Sequence, residues 1–282
     1  MGLRLISIGS SSAGNSYLIT DGRTNLILDV GVSCKRITET LKASGIECAD
    51  VHGIFITHEH ADHVHSLRAA AKKMDCATVY SSRGTVCACD TFEYVPANRL
   101  SYISAQQEIS MGDIKVKAFG LSHDAAEPIN FSFSEGESRL TVVTDTGVVT
   151  DEIFEEVASS DMIVLEANHE KNILEMGPYP YKLKRRILGD FGHLSNDAAG
   201  DTLTRAICSR RSRLNPCGDG RAAGTSRGRI KILLAHLSTT NNTPDQARLT
   251  VGNILEEGEL FSGRDFELGV ASKSERSGAI NV

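Results

Sequence analysis

The segment Thr57-His58-Glu59-His60-Ala61-Asp62-His63 decides how this sequence is interpreted. Four side chains that can bind a metal ion lie within it, in the pattern H-x-H-x-D-H. The preceding residues, Gly53-Ile54-Phe55-Ile56-Thr57, carry no charge and are rich in β-branched and aromatic types, which predicts a buried strand. Polar groups crowded at the end of a buried strand need partners. The segment therefore predicts a metal site on a loop that follows a strand.

The spacing within this segment favours two metal ions over one. His58 and His60 are two positions apart, so they can project from the same side of an extended chain. Asp62 and His63 follow after the chain turns and can face a second position. A histidine-rich polar loop without a ligand is the alternative, and the tight spacing after a strand argues against it.

The bulk composition is that of an ordinary globular protein. The 282 residues are 40% hydrophobic and 23% charged, which is enough to build a sizeable core. No apolar run approaches the length of a membrane span, and Met1–Ile8 is too short for a signal peptide and predicts a first strand instead. The seven cysteines lack the paired spacing of a zinc knuckle, so reduced thiols and a cytoplasmic location are expected.

The net charge of −6 is unevenly distributed along the chain. The segment from Lys182 to Lys231 holds twelve lysine and arginine residues, four aspartates and no glutamate. A basic segment on an acidic chain is a candidate contact for a polyanion, although charge alone favours a merely solvated surface. Within it, Ser209–Arg229 has almost no apolar periodicity and is expected to form a mobile basic insertion. The tail, residues 271–282, is expected to be flexible.

Strand and helix patterns alternate along the rest of the chain. Strands are predicted at Leu3–Ile8, Ser16–Thr20, Asn25–Asp29, Thr78–Tyr80, Ile114–Phe119, Ile129–Phe133, Leu140–Thr144, Met162–Glu166 and Ile230–Ala235. Helices are predicted at Ser33–Ala43, Val64–Lys73, Asp151–Ala158, Lys182–Leu188, Ser195–Cys208 and Thr243–Glu256. Three further metal-competent residues directly follow or lie just beyond predicted strands: His123, Asp145 and His236. We therefore expect them to complete the site that the first segment begins.

This set of residues resembles the metallo-β-lactamase superfamily. Short phrases elsewhere resemble its YycJ/WalJ (VicX-type) subgroup more narrowly: Gly9–Ser16, Ser122–Ala125, Gly177–Pro180, Gly192–Asn196 and His236–Asn242. The resemblance implies an α/β fold, a four-layer αββα sandwich of two mixed β-sheets flanked by helices. One domain is expected over residues 1–270. The insertion at Ser209–Arg229 is not expected of the subgroup.

The resemblance assigns ligands to two divalent metal ions, Zn²⁺ or Mn²⁺. His58, His60 and His123 are placed on the first ion, Asp62, His63 and His236 are placed on the second, and Asp145 is placed between both. The set contains no thiolate, whereas a cysteine would have favoured a true β-lactamase. Asp29 could accept a hydrogen bond from a ligand histidine, or could simply be a turn residue; the two interpretations are equally favoured.

Further residues are expected to serve catalysis and substrate binding. His193 resembles a motif histidine of tRNase Z and RNase J relatives and is expected to protonate a leaving oxygen, with Glu166 orienting it. Asp62 is expected to be catalytic as well as a ligand. Asn15, Ser195 and Asn196 are candidate substrate contacts. The role of His169 is left open between functional and structural.

The chemistry expected of two metals is hydrolysis of a phosphodiester by a hydroxide that bridges them. The resemblance implies a nuclease, a 5′-to-3′ DNA exonuclease, with DNA favoured over RNA. A thioesterase of glyoxalase II type is the first alternative, and a non-catalytic regulatory binding protein is the second. Only twenty-six residues separate Glu166 from His193, which leaves no room for a capping domain and predicts an open cleft. The oligomeric state is not indicated.

Overall fold

The computed structural model describes residues 2–214 and 229–282. Its strands are β1 Arg4–Gly9, β2 Ser16–Thr20, β3 Asn25–Leu28, β4 Val51–Phe55, β5 Thr78–Ser81, β6 Leu100–Tyr102, β7 Glu108–Met111, β8 Ile114–Gly120, β9 Ile129–Glu135, β10 Ser138–Val143, β11 Met162–Glu166, β12 Ile230–Ala235, β13 Phe266–Val270 and β14 Ile280–Asn281. Its α-helices are α1 Cys34–Ala43, α2 Ala61–Val64, α3 Leu67–Lys73, α4 Arg83–Ala88, α5 Asp151–Ala158, α6 Lys171–Met176, α7 Tyr181–Ile187, α8 Asn196–Leu214 and α9 Pro244–Glu257.

The strands form two mixed sheets of seven strands each. The first sheet has the order β14-β1-β2-β3-β4-β5-β6, and the second has the order β13-β12-β11-β10-β9-β8-β7. Apolar side chains fill three layers: between α1, α3 and the first sheet, between the two sheets, and between the second sheet and α5, α8 and α9. The predicted four-layer αββα sandwich is confirmed.

The chain direction explains why one edge of this sandwich can hold a site. Strands β3 to β6 run parallel in the first sheet, and β10 to β13 run parallel in the second. β8 runs in the same direction as β10, because β9 lies between them and is antiparallel to both. The carboxyl ends of β3, β4, β8, β10, β11 and β12 therefore deliver their following residues to related edges of the two sheets. The mostly apolar runs Met162–Glu166 and Ile230–Ala235 are what a strand buried on both faces requires.

Several predicted elements match the structure in both bounds, including β2, β11, β12 and α5. The predicted helix Val64–Lys73 is corrected to two short helices, α2 and α3. The break follows from a tertiary contact, because Ser66 N donates to Val30 O instead of continuing the helical ladder. Helix α2 also begins earlier than predicted, at Ala61, so Asp62 and His63 lie on its first turn.

The expectation of a flexible tail at residues 271–282 is also corrected. Ile280–Asn281 forms strand β14 and pairs with the outer side of β1. Before it, Ser10 N donates to Ser272 O at 3.1 Å and Ser277 N donates to Ser7 O at 2.8 Å. These bonds satisfy backbone groups that would otherwise lie unpaired along an edge strand.

The predicted mobile insertion at Ser209–Arg229 is corrected in its first part. Helix α8 continues to Leu214, six residues beyond the predicted end at Cys208. Arg210 and Arg211 stabilise this extension by pairing with Asp161 and Asp265, which directly precede β11 and β13. Residues 215–228 of the predicted insertion lie outside the described residues. Among residues 2–214 and 229–282, no helix combines the length and the apolar character that crossing a bilayer requires.

Candidate metal centre

The ligand-capable residues lie where strands end, and three of them have an unusual backbone. Asp29 follows β3, Asp145 comes just after β10, and His236 follows β12, with φ angles of 55°, 62° and 54°. This left-handed conformation costs a non-glycine residue about 1 kcal/mol or more. Three such residues together mark a place where the fold holds side chains in imposed directions.

The first group consists of three histidines, His58, His60 and His123, whose ligand-capable atoms all lie within 4.8 Å of one another. His123 Nε2 is 3.2 Å from His60 Nδ1. On its other side, His123 Nδ1 lies 3.1 Å from Gly192 O, and His58 Nδ1 lies 3.0 Å from the hydroxyl of Thr57. These contacts leave Nε2 of both rings directed into the group.

The second group combines carboxylates and imidazoles: Asp62, His63, Asp145 and His236. His236 Nε2 lies 3.2 Å from Asp62 Oδ2 and 3.3 Å from Asp145 Oδ1. His63 Nε2 lies 3.2 Å from Asp145 Oδ2. Asp145 also reaches the first group, since its Oδ1 is 3.8 Å from His123 Nε2. The structure thus brings all seven predicted ligands together, with Asp145 between the two groups.

Two buried carboxylates orient the histidines of the second group from behind. Asp29 Oδ2 is 2.7 Å from His63 Nδ1, and Glu166 Oε1 is 2.7 Å from His236 Nδ1. Each contact fixes the ring so that Nε2 faces the group. Of the two interpretations of Asp29, the structure supports the first, since Asp29 contacts His63, a candidate ligand. Within the described part of the chain, no lysine or arginine forms an ion pair with Asp29 or Glu166.

The charges of the second group create a demand for cations. Asp29, Asp62, Asp145 and Glu166 are four acidic groups, and no lysine or arginine in the described part of the chain pairs with any of them. Burial alone would lower the pKa of His236, but Asp145, Asp62 and Glu166 raise it to about 10. Buried charges need partners, so either protons or metal ions must compensate these carboxylates.

The first group provides an independent test of fit. His58 is fully buried, and its Nε2 has no hydrogen-bond partner among the described residues. Burial, reinforced by the neighbouring His63, holds the pKa of His58 well below its usual 6.5, so the ring is neutral. A buried, neutral imidazole nitrogen without a partner is what a metal ligand requires before binding. The residues of both groups therefore fit divalent metal ions.

His193 lies beside the two groups and contacts Glu166, as predicted. Its Nδ1 is 2.8 Å from Glu166 Oε1, and its ring centroid is 5.1 Å from that of His123 and 5.3 Å from that of His236. Burial opposes a charge on His193, but the Glu166 carboxylate outweighs it and raises the pKa of the imidazole. The side chain is 17% exposed, so it remains accessible from the cleft.

Glu166 is a shared hydrogen-bond acceptor. Although burial disfavours its charge, contacts with His193 and then His236 lower its pKa to about 2. Its Oε2 also accepts from the backbone N–H groups of Thr146 and Leu194. Asp145, Glu166, His193 and His236 could be regarded as a third metal group. The direct contacts of 2.7 and 2.8 Å to Glu166 are hydrogen bonds, and they leave no space for an ion between the atoms.

The predicted substrate residues are more deeply placed than expected. The Asn15 amide lies 3.2 Å from His63 Nε2 and donates to Ser11 O. The Ser195 hydroxyl accepts from Ala198 N, while the Asn196 amide donates to Glu170 and exchanges hydrogen bonds with Asn242. The structure therefore brings Asn15 to the metal groups but does not bring the side chains of Ser195 and Asn196 there.

Some contacts near the site could not be predicted from local sequence pattern. The Asn168 amide donates to His236 O at 2.9 Å, and His236 N donates to the hydroxyl of Ser10 at 2.9 Å. Both contacts join residues that are distant in sequence, so local pattern cannot reveal them. His169 is buried, and both of its ring nitrogens lack a hydrogen-bond partner among the described residues. Burial, as the largest effect, lowers its pKa to about 4, so the ring is neutral.

Comparison with known proteins agrees with this geometry. Residues 24–211 match the β-lactamase superfamily domain. The chain is 34% identical to the Bacillus anthracis protein named exodeoxyribonuclease YycJ over 269 residues, covering 95% of each. It is 33% identical to exodeoxyribonuclease WalJ of Streptococcus pneumoniae over 273 residues, covering 95% of this chain and 94% of that one.

Solved structures share the fold at lower identity. Unliganded yeast PDE1 superposes with a TM-score of 0.70 at 14% identity, covering all of both chains. The metallo-β-lactamase fold protein YhfI of Bacillus subtilis gives a TM-score of 0.66 at 15% identity, covering 98% of this chain and 99% of that one. Fold, ligand geometry and full-length similarity agree: this chain belongs to the metallo-β-lactamase superfamily and is a YycJ/WalJ-like member of it.

Proposed function

We propose that this chain is a divalent-metal-dependent phosphodiester hydrolase, specifically a DNA exonuclease. The observation that carries the proposal is the convergence of two ligand groups on one shared carboxylate, that of Asp145. The excess of buried carboxylates behind these groups supports cation binding. DNA as the substrate is supported by the similarity over 95% of the chain to proteins named exodeoxyribonucleases.

We propose two ions, Zn²⁺ or Mn²⁺, because the donors are imidazole nitrogens and carboxylate oxygens without a thiolate. His58, His60 and His123 would hold one ion; Asp62, His63 and His236 would hold the other; and Asp145 would serve both. When bound, two such ions supply an activated water and neutralise charge on a phosphodiester.

His193 is proposed to donate the proton that the leaving oxygen needs. Glu166 holds Nδ1 of this ring, so the opposite nitrogen, Nε2, is free to face a substrate in the cleft. Because the pKa of His193 is raised, the imidazolium is available near neutral pH. Asp62 is the most exposed carboxylate of the ligand set, at 23%, and we propose that its free oxygen accepts a proton from the attacking water.

Other aspects of the proposal follow from the resemblance to this subgroup. We propose that residues 1–270 act as one catalytic domain with an open cleft, because only twenty-six residues separate Glu166 from His193. Digestion is proposed to run from 5′ ends. We expect the protein to act in the cytoplasm, since the six cysteines in the described part of the chain are free thiols.

The proposal is tested by offering three substrates to protein loaded with Zn²⁺ or with Mn²⁺. These are DNA labelled at its 5′ end, bis-p-nitrophenyl phosphate and a glutathione thioester. We expect release of labelled mononucleotide and slower cleavage of the small diester. Asp145→Asn provides a control for contaminating nucleases, because it removes the shared carboxylate.

Three outcomes contradict the proposal in whole or in part. Cleavage of the thioester alone would favour an enzyme of glyoxalase II type. Turnover of none of the three substrates by protein that contains bound metal would favour a regulatory binding protein. Internal cuts in circular single-stranded DNA would retain the phosphodiesterase activity but overturn the assignment as an exonuclease.

A further inference from the structure

One face of helix α7 and the loop that follows it expose large apolar side chains beside the metal centre. Tyr181 is 75% exposed, Leu188 is 42% exposed and Phe191 is 64% exposed. Tyr181, Arg185 and Leu188 stand at positions i, i+4 and i+7, so they lie on the same side of the helix. We call Tyr181, Arg185, Leu188 and Phe191 the α7 strip. At 1.5 Å per residue, the helical part extends about 10 Å.

Backbone contacts fix the end of the α7 strip against the metal centre. Phe191 O accepts a hydrogen bond from Asp124 N at 3.2 Å, directly beside the ligand His123. Two residues later, His193 N donates to Ile187 O at 3.0 Å. A Cβ at Gly192 would lie 2.1 Å from Ile187 O, so the loop closes tightly onto the helix. The exposed ring of Phe191 is therefore held at the edge of the cleft.

Two positive charges of the basic segment that have no ion pair within the described residues lie on α7. Four arginines elsewhere in that segment pair with carboxylates: Arg210 with Asp161, Arg211 with Asp265, Arg213 with Glu155 and Arg229 with Glu267. On α7 itself, Arg186 pairs with Asp124 and Lys184 donates to Glu175 O. Lys182 and Arg185 make no side-chain hydrogen bond or ion pair within the described part of the chain. Lys182 and Arg185 are therefore free cations on the same helix as the exposed ring of Tyr181.

An unpaired nucleic-acid strand has the chemistry that this surface fits. Single-strand binding surfaces combine cations that follow the phosphates with aromatic rings on which bases stack. Paired bases inside a duplex present no free face to such rings. A second copy of this chain is a poorer occupant, because a two-fold contact through the α7 strip would bring Arg185 close to its own counterpart.

We propose that the α7 strip binds single-stranded DNA next to the scissile phosphate. Phe191 stacks on the base nearest the metal centre, Tyr181 stacks on a base farther along the strand, and Lys182 and Arg185 contact phosphates between them. This inference rests on the proposed function, and it adds that the preferred substrate is an unpaired strand. It assigns a role to Phe191, two residues before the proposed proton donor His193.

The test compares Phe191→Ala and Tyr181→Ala with Phe261→Ala. Phe261 is 45% exposed and stacks with Arg264 just before β13, so it is a matched exposed phenylalanine outside the α7 strip. Steady-state kcat/KM is measured for a single-stranded oligonucleotide and for bis-p-nitrophenyl phosphate. We expect Phe191→Ala to lower kcat/KM for DNA at least about tenfold more than for the small diester, mainly through KM. Phe261→Ala should change neither.

A binding measurement separates failure of this inference from failure of the proposed function. Fluorescence anisotropy is measured with labelled single-stranded DNA and with the same sequence as a blunt duplex. We expect tighter binding of the single strand, weakened about tenfold by Phe191→Ala and less dependent on salt in Arg185→Gln. If the wild type binds the strand in this way but hydrolyses no DNA, only the proposed function fails.

Three results would overturn the inference while leaving hydrolysis intact. The first is equal binding of single strand and duplex. The second is a DNA affinity that is unchanged in Phe191→Ala and Tyr181→Ala. The third is a wild-type dimer that Phe191→Ala dissociates, as judged by sedimentation velocity, because the α7 strip would then be an interface between copies.

Discussion

The two ligand groups of the metal centre differ in how the protein supports them. The first group contains histidines alone, and they are held from behind by a hydroxyl and a backbone carbonyl. The second group contains Asp62 as a candidate ligand of its own, and its histidines are held by the buried carboxylates of Asp29 and Glu166. Only Asp145 is common to both.

This difference indicates that the second position is the more strongly negative one. A carboxylate behind a histidine raises the basicity of the ligand nitrogen more than a neutral carbonyl does. The second position also has a full negative charge from Asp62, whereas the first relies on Asp145 for its only negative charge. We therefore expect the second position to hold its ion more tightly near neutral pH, and the first to lose its ion more readily. The predictions below test this contrast.

The largest effect is expected at the shared residue. Asp145→Asn removes the negative charge that both positions use, so we expect kcat/KM to fall by more than about 1,000-fold. Even a single outer partner of a metal ligand is worth up to about 100-fold. Metal content per chain and activity on DNA are measured, with circular dichroism to check the fold. Asp113→Asn, at an exposed carboxylate, provides the control. Loss of only one ion with full activity would contradict a shared role.

The next largest effect is expected at His193, which lies between the two groups without belonging to either. His193→Ala should lower kcat by about 100-fold, because it removes a general acid. Both metal ions should remain. Since the pKa of His193 is raised above 6.5, its proton is held to higher pH than on a free imidazole and is lost as the pH rises through that raised value. Wild-type kcat should therefore fall on the alkaline side.

The same alkaline decline should be absent in the His193→Ala variant. Glu166→Gln should shift it to lower pH, because the carboxylate that raises the pKa of His193 is gone. His65→Ala, at an exposed histidine next to α2, is the control and should leave the profile unchanged. Loss of metal from His193→Ala would mean that this residue is a ligand and not an acid.

The positions of the candidate ligands could be predicted from the sequence, because residues that directly follow apolar strands have a local signal. Met162–Glu166 and Ile230–Ala235 have the bounds that the sequence predicts, and the structure brings the seven candidate ligands close together. What could not be predicted depends on distant partners. Glu166 accepts from both His193 and His236, and this double role arises only when β11 and β12 lie side by side.

The wrong predictions have the same physical cause. The tail was expected to be flexible because its composition is polar, yet the unpaired edge of β1 orders it. Helix α8 was expected to end at Cys208 because apolar periodicity stops there. Arg210 and Arg211 extend it through ion pairs with Asp161 and Asp265, which no local pattern indicates. Tertiary contacts override local propensity in both places.

An intermediate effect is expected from Asp29, which acts on the second position alone. Asp29→Asn replaces the carboxylate that accepts from His63 Nδ1 with a neutral amide. The affinity of the second position should fall by about 10- to 100-fold, while the first position keeps its affinity. Competition with a chromophoric chelator measures both. Asp21→Asn is a matched control, since Asp21 is also buried but accepts backbone hydrogen bonds in the turn before β3. Equal weakening of both positions would contradict separate support.

The smallest effect is a difference in how the two positions respond to pH. Burial alone would lower the pKa of His236, but the surrounding carboxylates raise it to about 10, so without metal this ring carries a proton at neutral pH. Metal must displace that proton, and affinity at the second position should rise about tenfold per pH unit for each proton released. His58 has a lowered pKa and is already neutral, so metal displaces no proton from it.

Chelator competition at several pH values between 6 and 8 measures this difference. We expect the affinity of the second position to change about tenfold for each pH unit and each proton released. The difference in metal affinity between the second position and the first should therefore be greatest at pH 8. It should become smaller as the pH falls, because protons compete with the metal for the histidines of the second position. Asp29→Asn should flatten the response, since Asp29 is one of the carboxylates that raise the pKa of His63. Parallel slopes for both ions would show that the carboxylates behind the second group do not distinguish it from the first.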